Sequence, residues 1–355
     1  MKVRASSFTG GSALTPFLAI ILALACGALI IWVSGYDVVD AYRGLARGAF
    51  GSKNNWAETL VATSPYILAG LAVAFAFQCG LFNIGGGGQL IMGAITSTWV
   101  GYHGTGLPMA IHLPLTILAG AAGGAAWAAL AGWLKASFGA HEVITTIMLN
   151  YVAAYLLDFL VNGPMHGASA IPKTPDIAVT ARLPILLSDT RLHAGIIIAL
   201  IMVGIIHVLL YKTTLGLSIR LVGANPTAAE NAGLPQSRYI LTAMMISGAL
   251  AGLAGTFEII GVNYALPTPF NSEYGFDAIA IALLGRSTPL GVLLAAFLFG
   301  AMRNGASTMQ IAAMVPSNII SMIQAFVIFF LSAEILFGWI WKRKAVVPPV
   351  ATAGG

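Results

Sequence analysis

Four consecutive glycines in the segment F-N-I-G-G-G-G-Q, residues 82–89, suggest a loop that could cradle a phosphate. A Walker-type loop requires a lysine and a hydroxyl residue after its last glycine, but Gln89 follows Gly88 and no lysine lies between Lys53 and Lys135. The apolar flanks instead favour irregular backbone inside a membrane. The predicted helix break comprises Gly85, Gly86, Gly87 and Gly88. For any one of these glycines, close helix packing remains an alternative explanation.

Polar and aromatic residues within the apolar segments are candidates for ligand contact. Glu258 leads, because an ionisable side chain such as Asp or Lys at a membrane helix centre costs at least about 2.5 to 3.5 kcal/mol. Its alternative role is to pair with Arg286 or Arg303. Buried amides can bind a ligand or tie helices together, and phenyl rings can stack on a base or simply pack. The predicted contact set is Glu258, Asn83, Gln89, Asn150, Phe257 and Phe276.

Residues that could support catalysis or metal binding are sparse. No Ser/His pair, Asp pair or metal-binding cluster is visible within the apolar segments, which disfavours an intramembrane enzyme. Cys26 and Cys79 predict neither a disulfide nor a metal site. A proton-coupled carrier would need ionisable groups near the midplane of facing repeats, and only Glu258 approaches that description. Glu142 and Asp277 are interpreted as helix-end residues. We expect no catalytic residue, metal or bound cofactor in this chain.

Composition identifies an integral membrane protein. Hydrophobic residues make up 58% of the 355 residues and charged residues only 8%, whereas a soluble domain carries about 25% charged residues. No polar stretch is long enough to fold separately, so we predict one transmembrane domain over residues 1–355. The formal net charge is only +5 and the basic residues are dispersed, which argues against nucleic-acid binding.

Ten apolar segments predict an all-α fold of about ten transmembrane helices. They comprise residues 17–33, 60–77, 89–102, 109–134, 143–161, 194–211, 239–262, 276–284, 289–302 and 319–341. A helix needs about 20 apolar residues to cross a bilayer on its own. The third, eighth and ninth segments are shorter, and we expect other helices to surround these short or broken elements.

Basic residues near the two termini orient the chain. Two precede the first apolar segment and three follow the last, so the positive-inside rule predicts that both termini are cytoplasmic. The same rule places residues 212–238 inside and the loops 34–56 and 162–193 outside. The first segment is expected to be retained, because no small-residue cleavage site follows it. The orienting residues are Lys2, Arg4, Lys342, Arg343 and Lys344.

The most polar internal segment, residues 212–238, is predicted to contain one short helix. Thr227 and Glu230 fit a capping box. Pro226 suits a first helical turn, and Gly233 suits a left-handed terminus. A helix this short is marginal alone in water. It must either pack on its own membrane domain or dock in a groove of a soluble partner, and the residues themselves favour neither.

Five blocks of sequence together resemble the permease subunits of bacterial ABC importers for nucleosides and simple sugars. The blocks are A-T-S-P-Y-I-L-A-G-L-A-V-A-F-A-F, F-N-I-G-G-G-G-Q, H-E-V-I-T-T-I-M-L-N-Y, V-G-A-N-P-T-A-A-E-N-A-G and E-Y-G-F-D-A-I-A-I-A-L-L-G-R. The M-L-N-Y block and the chain length resemble the longer of two permeases in a nucleoside system. One departure is Gly87, where family members commonly carry an acidic residue.

This resemblance implies a permease of the type II importer architecture, with a pathway between two permease subunits in the bacterial inner membrane. Expected partners are a second permease in a heterodimer, a cytoplasmic ABC ATPase that binds ATP and magnesium, an extracytoplasmic solute-binding protein and the lipid bilayer. The expected substrate is a nucleoside, with a pentose or another monosaccharide and then a nucleobase as alternatives. The implied coupling helix to the ATPase comprises Asn225, Pro226, Thr227, Ala228, Ala229, Glu230 and Gly233.

Overall fold

Helices form nearly all the regular structure. The computed structural model describes residues 14–316, 318–327 and 329–330, and within these ranges β-pairing is limited to two isolated bridges. The predicted all-α class is confirmed. The helices are α1 (Leu14–Val33), α2 (Val38–Phe50), α3 (Lys53–Gln78), α4 (Gly86–His103), α5 (Met109–Phe138), α6 (Glu142–Asn162), α7 (Gly195–Lys212), α8 (Thr214–Ala224), α9 (Pro226–Asn231), α10 (Gln236–Glu258), α11 (Tyr274–Leu284), α12 (Pro289–Ala313) and α13 (Asn318–Val327).

Six helices of the described residues are long and apolar enough to cross a membrane. They are α3, α5, α6, α7, α12 and α10 with its π-helical extension, Ile259–Asn263. The predicted count of about ten spans is therefore not established. The five terminal basic residues that orient the chain, and residues 331–341 of the tenth predicted segment, lie outside the described residues.

The eighth and ninth apolar segments, both predicted to be too short to cross a bilayer alone, form helices of very different length. Helix α11 has only 11 residues, as predicted. The ninth segment, predicted to end at residue 302, continues to Ala313 as a 25-residue helix. The prediction that it is too short to cross was wrong, because the polar residues that seemed to end it are satisfied inside the bundle. Arg303 donates to Tyr66 at 3.2 Å, and Asn304 donates to the Asn55 carbonyl at 2.9 Å.

The region 34–56, expected as a loop, contains the amphipathic helix α2. Asp37 caps its start by accepting a hydrogen bond from a backbone N–H three residues later, at 2.8 Å. Its buried face consists of small residues, including Ala41, Gly44 and Gly48, and the two glycines let α2 lie directly against α12. A search for apolar spans misses this helix because its opposite face is charged and exposed.

Glycine stripes hold α4, α5 and α10 in close contact. A Cβ on Gly93 of α4 would lie 2.2 Å from the carbonyl oxygen of Gly252, and a Cβ on Gly124 of α5 would lie 2.2 Å from that of Gly248. Helices in lipid associate through such small-residue contacts. The glycine- and alanine-rich segments 120–126 and 248–255 therefore form the contact surfaces of α5 and α10.

The position of the short helix α9 distinguishes the two ends of the bundle. We call the end at which α9 lies, where α3 ends and α10 begins, the α9 end; the opposite end is the far end. At the α9 end Cys79 Sγ contacts the Tyr239 carbonyl at 3.8 Å. Lys135 and Glu142 join the end of α5 to the start of α6 at 2.8 Å, so Glu142 is part of an ion pair at a helix end.

We predict that Gly93→Leu destabilises the bundle, whereas Gly204→Leu does not. The first side chain would collide with the backbone of α10, and overpacking of this kind costs at least about 1 to 3 kcal/mol. Gly204 in α7 has no neighbouring atom within 4 Å of an added Cβ. Thermal unfolding of the detergent-purified chain, followed by tryptophan fluorescence, measures both. Equal midpoints for the two variants would contradict the close α4–α10 contact.

Candidate functional site

The starts of α4 and α11 meet inside the bundle. A Cβ on Gly86, the first residue of α4, would lie 3.2 Å from the Cα of Gly275 in α11. A Cβ on Gly275 would lie only 2.1 Å from the nitrogen of Gly87, so this approach requires glycine at position 275. Irregular backbone precedes each start, at residues 79–85 and 264–273. The junction is therefore built from two interrupted helices, as solute sites in transporters commonly are.

The irregular backbone lies slightly earlier than the predicted break. Gly85 is the N-cap of α4, but Gly86, Gly87 and Gly88 are already helical. The chain turns instead at Gly80, whose φ of 73° lies in the left-handed region that favours glycine. Gly86 and Gly88 inside α4 serve close packing, which was the alternative explanation for each glycine.

Asn83 satisfies the irregular segment before α4. Its Nδ2 donates to Gln89 Oε1 at 2.9 Å and to Ser247 Oγ at 2.8 Å, while its Oδ1 accepts from Gly85 N at 3.0 Å and from Gln89 Nε2 at 2.9 Å. All four hydrogen-bonding positions of the amide are thus occupied. Asn83 and Gln89 are each only 1% exposed. Both side chains hold the backbone and have no surface on which to meet a ligand.

Asn150 of α6 caps the start of α4 from the side. Its Oδ1 accepts from Gly88 N at 2.7 Å, and its Nδ2 donates to the Ile84 carbonyl at 2.9 Å. The first N–H groups of a helix lack intrahelical partners, so this amide replaces a local N-cap. At neighbouring Gly87 an added Cβ would make only ordinary contacts, 3.4 Å from the Ser272 carbonyl oxygen and 3.8 Å from Asn150. Packing alone does not require glycine there.

Five side chains from α3, α10, α11 and α12 form a polar network beside the junction. We call this set, Tyr66, Glu258, Tyr274, Asp277 and Arg303, the Arg303 network. Tyr66 donates to Asp277 Oδ2 at 2.6 Å and accepts from Arg303 Nη1 at 3.2 Å. The Arg303 guanidinium lies 4.7 Å from the Tyr274 ring centroid, over its face. Tyr66 and Arg303 lie near the middle of their long helices, so the network lies deep in the bundle.

Glu258 enters this network from the end of α10. Arg303 and Arg191 lie close enough to attract its carboxylate, and Tyr274 and Asn263 lie beside it. A π-helical segment follows Glu258, and π-helical turns occur frequently at functional sites. The ion pair of Arg303 is with Glu273, at 3.8 Å, so the alternative role of Glu258 as an arginine partner stays a prediction.

An exposed polar and aromatic surface adjoins the Arg303 network. We call Asn271, Glu273 and Phe276, together with Tyr151 and Tyr155 of α6, the open face. The two tyrosines lie on the same side of α6 as Asp158, which accepts a hydrogen bond from Thr268 Oγ1 at 3.2 Å. Phe276 is 56% exposed and Tyr155 75% exposed. Glu273 directly precedes α11 and lies 3.8 Å from Arg303. A carboxylate left against lipid at this depth would be costly, so the open face needs water or another protein chain beside it.

The loop before α7 contacts α3 and the π-helical segment at the far end of the bundle. Arg191 donates two hydrogen bonds to the Glu58 carboxylate, at 2.8 and 2.6 Å, and this bonding raises the pKa of Arg191. His193 lies against Gly261 of the π-helical segment. Burial lowers the pKa of His193 to about 4, so its imidazole is neutral at pH 7 and adds no positive charge beside the π-helical segment.

The six predicted contact residues thus separate into two groups. Glu258 and Phe276 border the junction and the open face, and Asn150 caps α4 beside them. Asn83, Gln89 and Phe257 are buried in the packing, with Phe257 0% exposed.

Sequence reasoning missed Tyr66, assigned Asp277 to a helix end and considered Arg303 only as a partner. The sequence contained two signals for this network. Tyr66 directly follows Pro65 within an apolar segment, and Arg303 directly follows the ninth apolar segment, residues 289–302. Among the described residues, no three His, Cys, Asp or Glu side chains converge to hold a metal ion.

The segment 212–238 contains two helices, α8 and α9, rather than the one predicted. Asn225 is the N-cap of α9, with Oδ1 accepting from Ala228 N at 3.1 Å. The predicted capping box starting at Thr227 is wrong, because Thr227 already lies inside the helix. Pro226 occupies the first turn and Gly233 has a φ of 83°, as predicted.

Helix α9 presents most of its surface to the outside of the bundle. Ala229 is buried at 4% exposure and anchors the helix to its own chain. Pro226, Thr227, Ala228 and Glu230 are exposed. Both alternatives for a short helix therefore apply here: one residue packs on the membrane domain, and the others remain available to a partner.

The end of α8 touches the backbone turn that leads to the junction. A Cβ on Gly223 would lie 2.3 Å from the carbonyl oxygen of Gln78, and a Cβ on Gly80 would lie 3.2 Å from the carbonyl oxygen of Gly223. Gln78 also donates to the Ser287 carbonyl, after α11, at 2.8 Å. Residues 78–80 thus connect α8 and α9 with both interrupted helices.

Several proteins that are similar to this chain are transport permeases. The guanosine ABC transporter permease protein NupP of Bacillus subtilis is 44% identical over 90% of this chain and 93% of its own length. The glucose ABC transporter permease protein TsgB13 of Haloferax volcanii is 36% identical over 96% and 94%. The nucleoside ABC transporter permease protein NupB of Lactococcus lactis is 34% identical over 96% of each. A second guanosine permease of the same Bacillus, NupQ, is 30% identical over 68% of this chain.

No solved structure matches the chain. The family model described as "Branched-chain amino acid transport system / permease component" matches residues 55–333. This range includes the junction, the Arg303 network, the open face and α9. The chain is therefore a membrane permease component of the ABC transporter type and belongs to the branched-chain amino acid transport system permease family.

Proposed function

We propose that this chain forms half of a nucleoside import pathway, with the open face and the Arg303 network lining it. The observation that carries the proposal is an acid-rich, partly aromatic surface deep in the bundle, at the meeting point of two interrupted helices. Carboxylates accept hydrogen bonds from ribose hydroxyls and base amino groups, and exposed Phe276 can stack on a base. Two relatives, a guanosine permease and a nucleoside permease, support the same substrate class.

A simple sugar is the second candidate. The relative named as a glucose permease favours it, and the carboxylates of Glu258 and Glu273 would accept sugar hydroxyls equally well. The two candidates differ in what they require of Phe276, because a sugar lacks the planar base.

The proposed transporter contains three further kinds of subunit. A second permease covers the open face, as the two related guanosine permeases of one Bacillus suggest. A cytoplasmic ABC ATPase grips the exposed surface of α9, and an extracytoplasmic binding protein delivers the solute at the far end. In this arrangement the α9 end is cytoplasmic, both termini are cytoplasmic and the chain lies in the bacterial inner membrane.

Import would follow from movement of α9. ATP-driven closure of the partner ATPase displaces α9, and the contact between Gly223 and residues 78–80 transmits the displacement to the starts of α4 and α11. Opening at that junction exposes the Arg303 network to the solute on one side of the membrane at a time. The chain itself performs no chemical step.

We predict that Phe276→Ala raises the KM for nucleoside uptake by about 5- to 150-fold, the range expected for losing 1 to 3 kcal/mol of base stacking. Phe276→Tyr should retain uptake, because it keeps the ring. Phe138→Ala, which removes an exposed phenyl group at the end of α5, away from the open face, is the control. Uptake of labelled nucleoside and of labelled glucose is measured in cells that carry the complete transporter. Strong uptake of glucose that Phe276→Ala leaves unchanged would favour the sugar candidate.

Glu258→Gln is predicted to reduce uptake per molecule by about 10- to 150-fold, since hydrogen bonds to a charged group contribute about 1.5 to 3 kcal/mol. Its membrane level should stay near that of the unmodified chain. Glu142→Gln is the matched control, because Glu142 is also a largely buried carboxylate but pairs with Lys135 at the α9 end. Quantitative immunoblotting alongside uptake separates the two effects. A fall in protein level equal to the fall in uptake would assign Glu258 a purely structural role.

The exposed surface of α9 predicts a different phenotype. Ala228→Trp should abolish uptake and the co-purification of the ATPase, while the level of this chain and ligand capture by the binding protein are unchanged. Ser137→Trp, exposed at the same end of the bundle on α5, should have little effect. Affinity purification of the assembled transporter measures ATPase retention directly. Full uptake and normal ATPase retention by Ala228→Trp would remove the coupling role from α9.

A further inference from the structure

A cavity separate from the Arg303 network lies between α4, α5 and α6. Its volume is about 650 Å³, and it is bounded by the end of α4, the first half of α5, Leu160 of α6 and the loop at residues 164–166. None of its lining residues belongs to the junction, the open face or α9. The proposed transport pathway leaves this space unexplained.

The cavity has an apolar deep end. Ala119, Ala122 and Gly123 of α5 line it there, and the one hydroxyl group at that depth belongs to Thr96. The single hydrogen of that hydroxyl is shared between the carbonyls of Met92 and Ala119, each at 2.9 Å. A polar solute would therefore find no free hydroxyl donor in the deep end, whereas a hydrocarbon chain needs none.

The other end of the cavity is aromatic and lies at the far end of the bundle. The ring of His103 lies 4.6 Å from that of Trp99 and 4.2 Å from that of Tyr102, centroid to centroid, and His103 Nδ1 donates to the Trp99 carbonyl at 3.0 Å. His166 completes this rim. Tryptophan, tyrosine and other amphipathic rings are typical of the membrane–water interface.

The length of the cavity fits within one leaflet of a bilayer. Its lining on α4 runs from Ile95 to His103, and eight residues at 1.5 Å per residue span about 12 Å. Half of a hydrocarbon core is about 15 Å thick. With the aromatic rim at the level of the headgroups, the apolar end therefore lies within the acyl-chain region of the same leaflet.

We infer that this cavity binds one acyl chain of a phospholipid from the far-end leaflet, with the headgroup beside His103 and His166. The inference does not depend on the proposed substrate. It uses only the polarity, depth and shape of a space that nucleosides, sugars and the ATPase do not need.

The test uses the complete transporter in vesicles of phosphatidylethanolamine and phosphatidylglycerol that contain a phospholipid with a photoreactive diazirine on its acyl chain. After illumination, mass spectrometry should locate labels on peptides covering 119–123 and 160–165 in excess over the exposed residues Ile201 and Ile205 of α7. Ala122→Trp should reduce the cavity labels about tenfold relative to those on α7, because its ring takes the space of several methylenes. Ala126→Trp, one turn further along the exposed side of α5, should leave the ratio unchanged.

Two results would overturn the inference. One is cavity labelling no stronger than that of α7 in the unmodified transporter, which would mean that another protein segment or nothing fills the space. The other is an unchanged label ratio in Ala122→Trp. Should that variant fail to assemble, Ala122→Leu fills part of the same volume, and a label ratio in this variant equal to that of the unmodified transporter would contradict the inference as well.

Discussion

A helix can be interrupted inside a bilayer only if protein groups satisfy the backbone that the interruption frees. In this chain two asparagines satisfy the interruption between α3 and α4. Asn83 uses all four hydrogen-bonding positions of its amide within residues 83–89 and on Ser247, and Asn150 reaches from α6 to bond both Ile84 and Gly88. The close approach of α4 and α11 depends on this arrangement, because the glycine contacts at their starts leave no room for other partners. The open face exists only because α4 and α11 both start at this depth.

The same interruption gives the permease a mechanical connection. Residues 78–80 contact the end of α8 on one side and lead into the Asn83 cluster on the other, while Gln78 is also bonded to the turn after α11. Residues 79–85 reverse the chain between α3 and α4 and belong to neither helix. This short segment contacts the end of α8, which directly precedes α9, and leads into the junction. A displacement of the segment therefore need not deform the long helices around it.

The sequence predicted the helical class, the apolar segments and the position of α9, because hydrophobic runs and turn residues act locally. It also indicated that the glycine run lies at an irregular point of a membrane helix. It did not separate amides that hold the fold from side chains that face an opening: Asn83, Gln89 and Asn150 have the same chemistry as pathway residues, and only their partners show that they are occupied. Tyr66 and Arg303 were missed as a unit because they are more than two hundred residues apart and meet only through tertiary packing. Helix α2 was missed because its buried face consists of alanine and glycine rather than large apolar residues.

The charges and hydrogen-bonding groups at the junction bear on the class of substrate. They favour a different class from the amino acids that the name of the family suggests. An amino acid carries a carboxylate that needs donors or positive charge around it. In the described residues at the junction these groups are already engaged: Arg303 bonds Tyr66 and lies beside Glu273, and Gly88 N–H is held by Asn150. Asp277 occupies the first turn of α11, where the helix dipole would otherwise favour an anion. What remains toward the open face is mainly acceptor groups and a phenyl ring. Such a surface suits a neutral solute with several hydroxyl or amino donors and a planar part, which favours a nucleoside over an amino acid. Substrate class in this family is therefore better argued from the groups at the junction than from the shared fold.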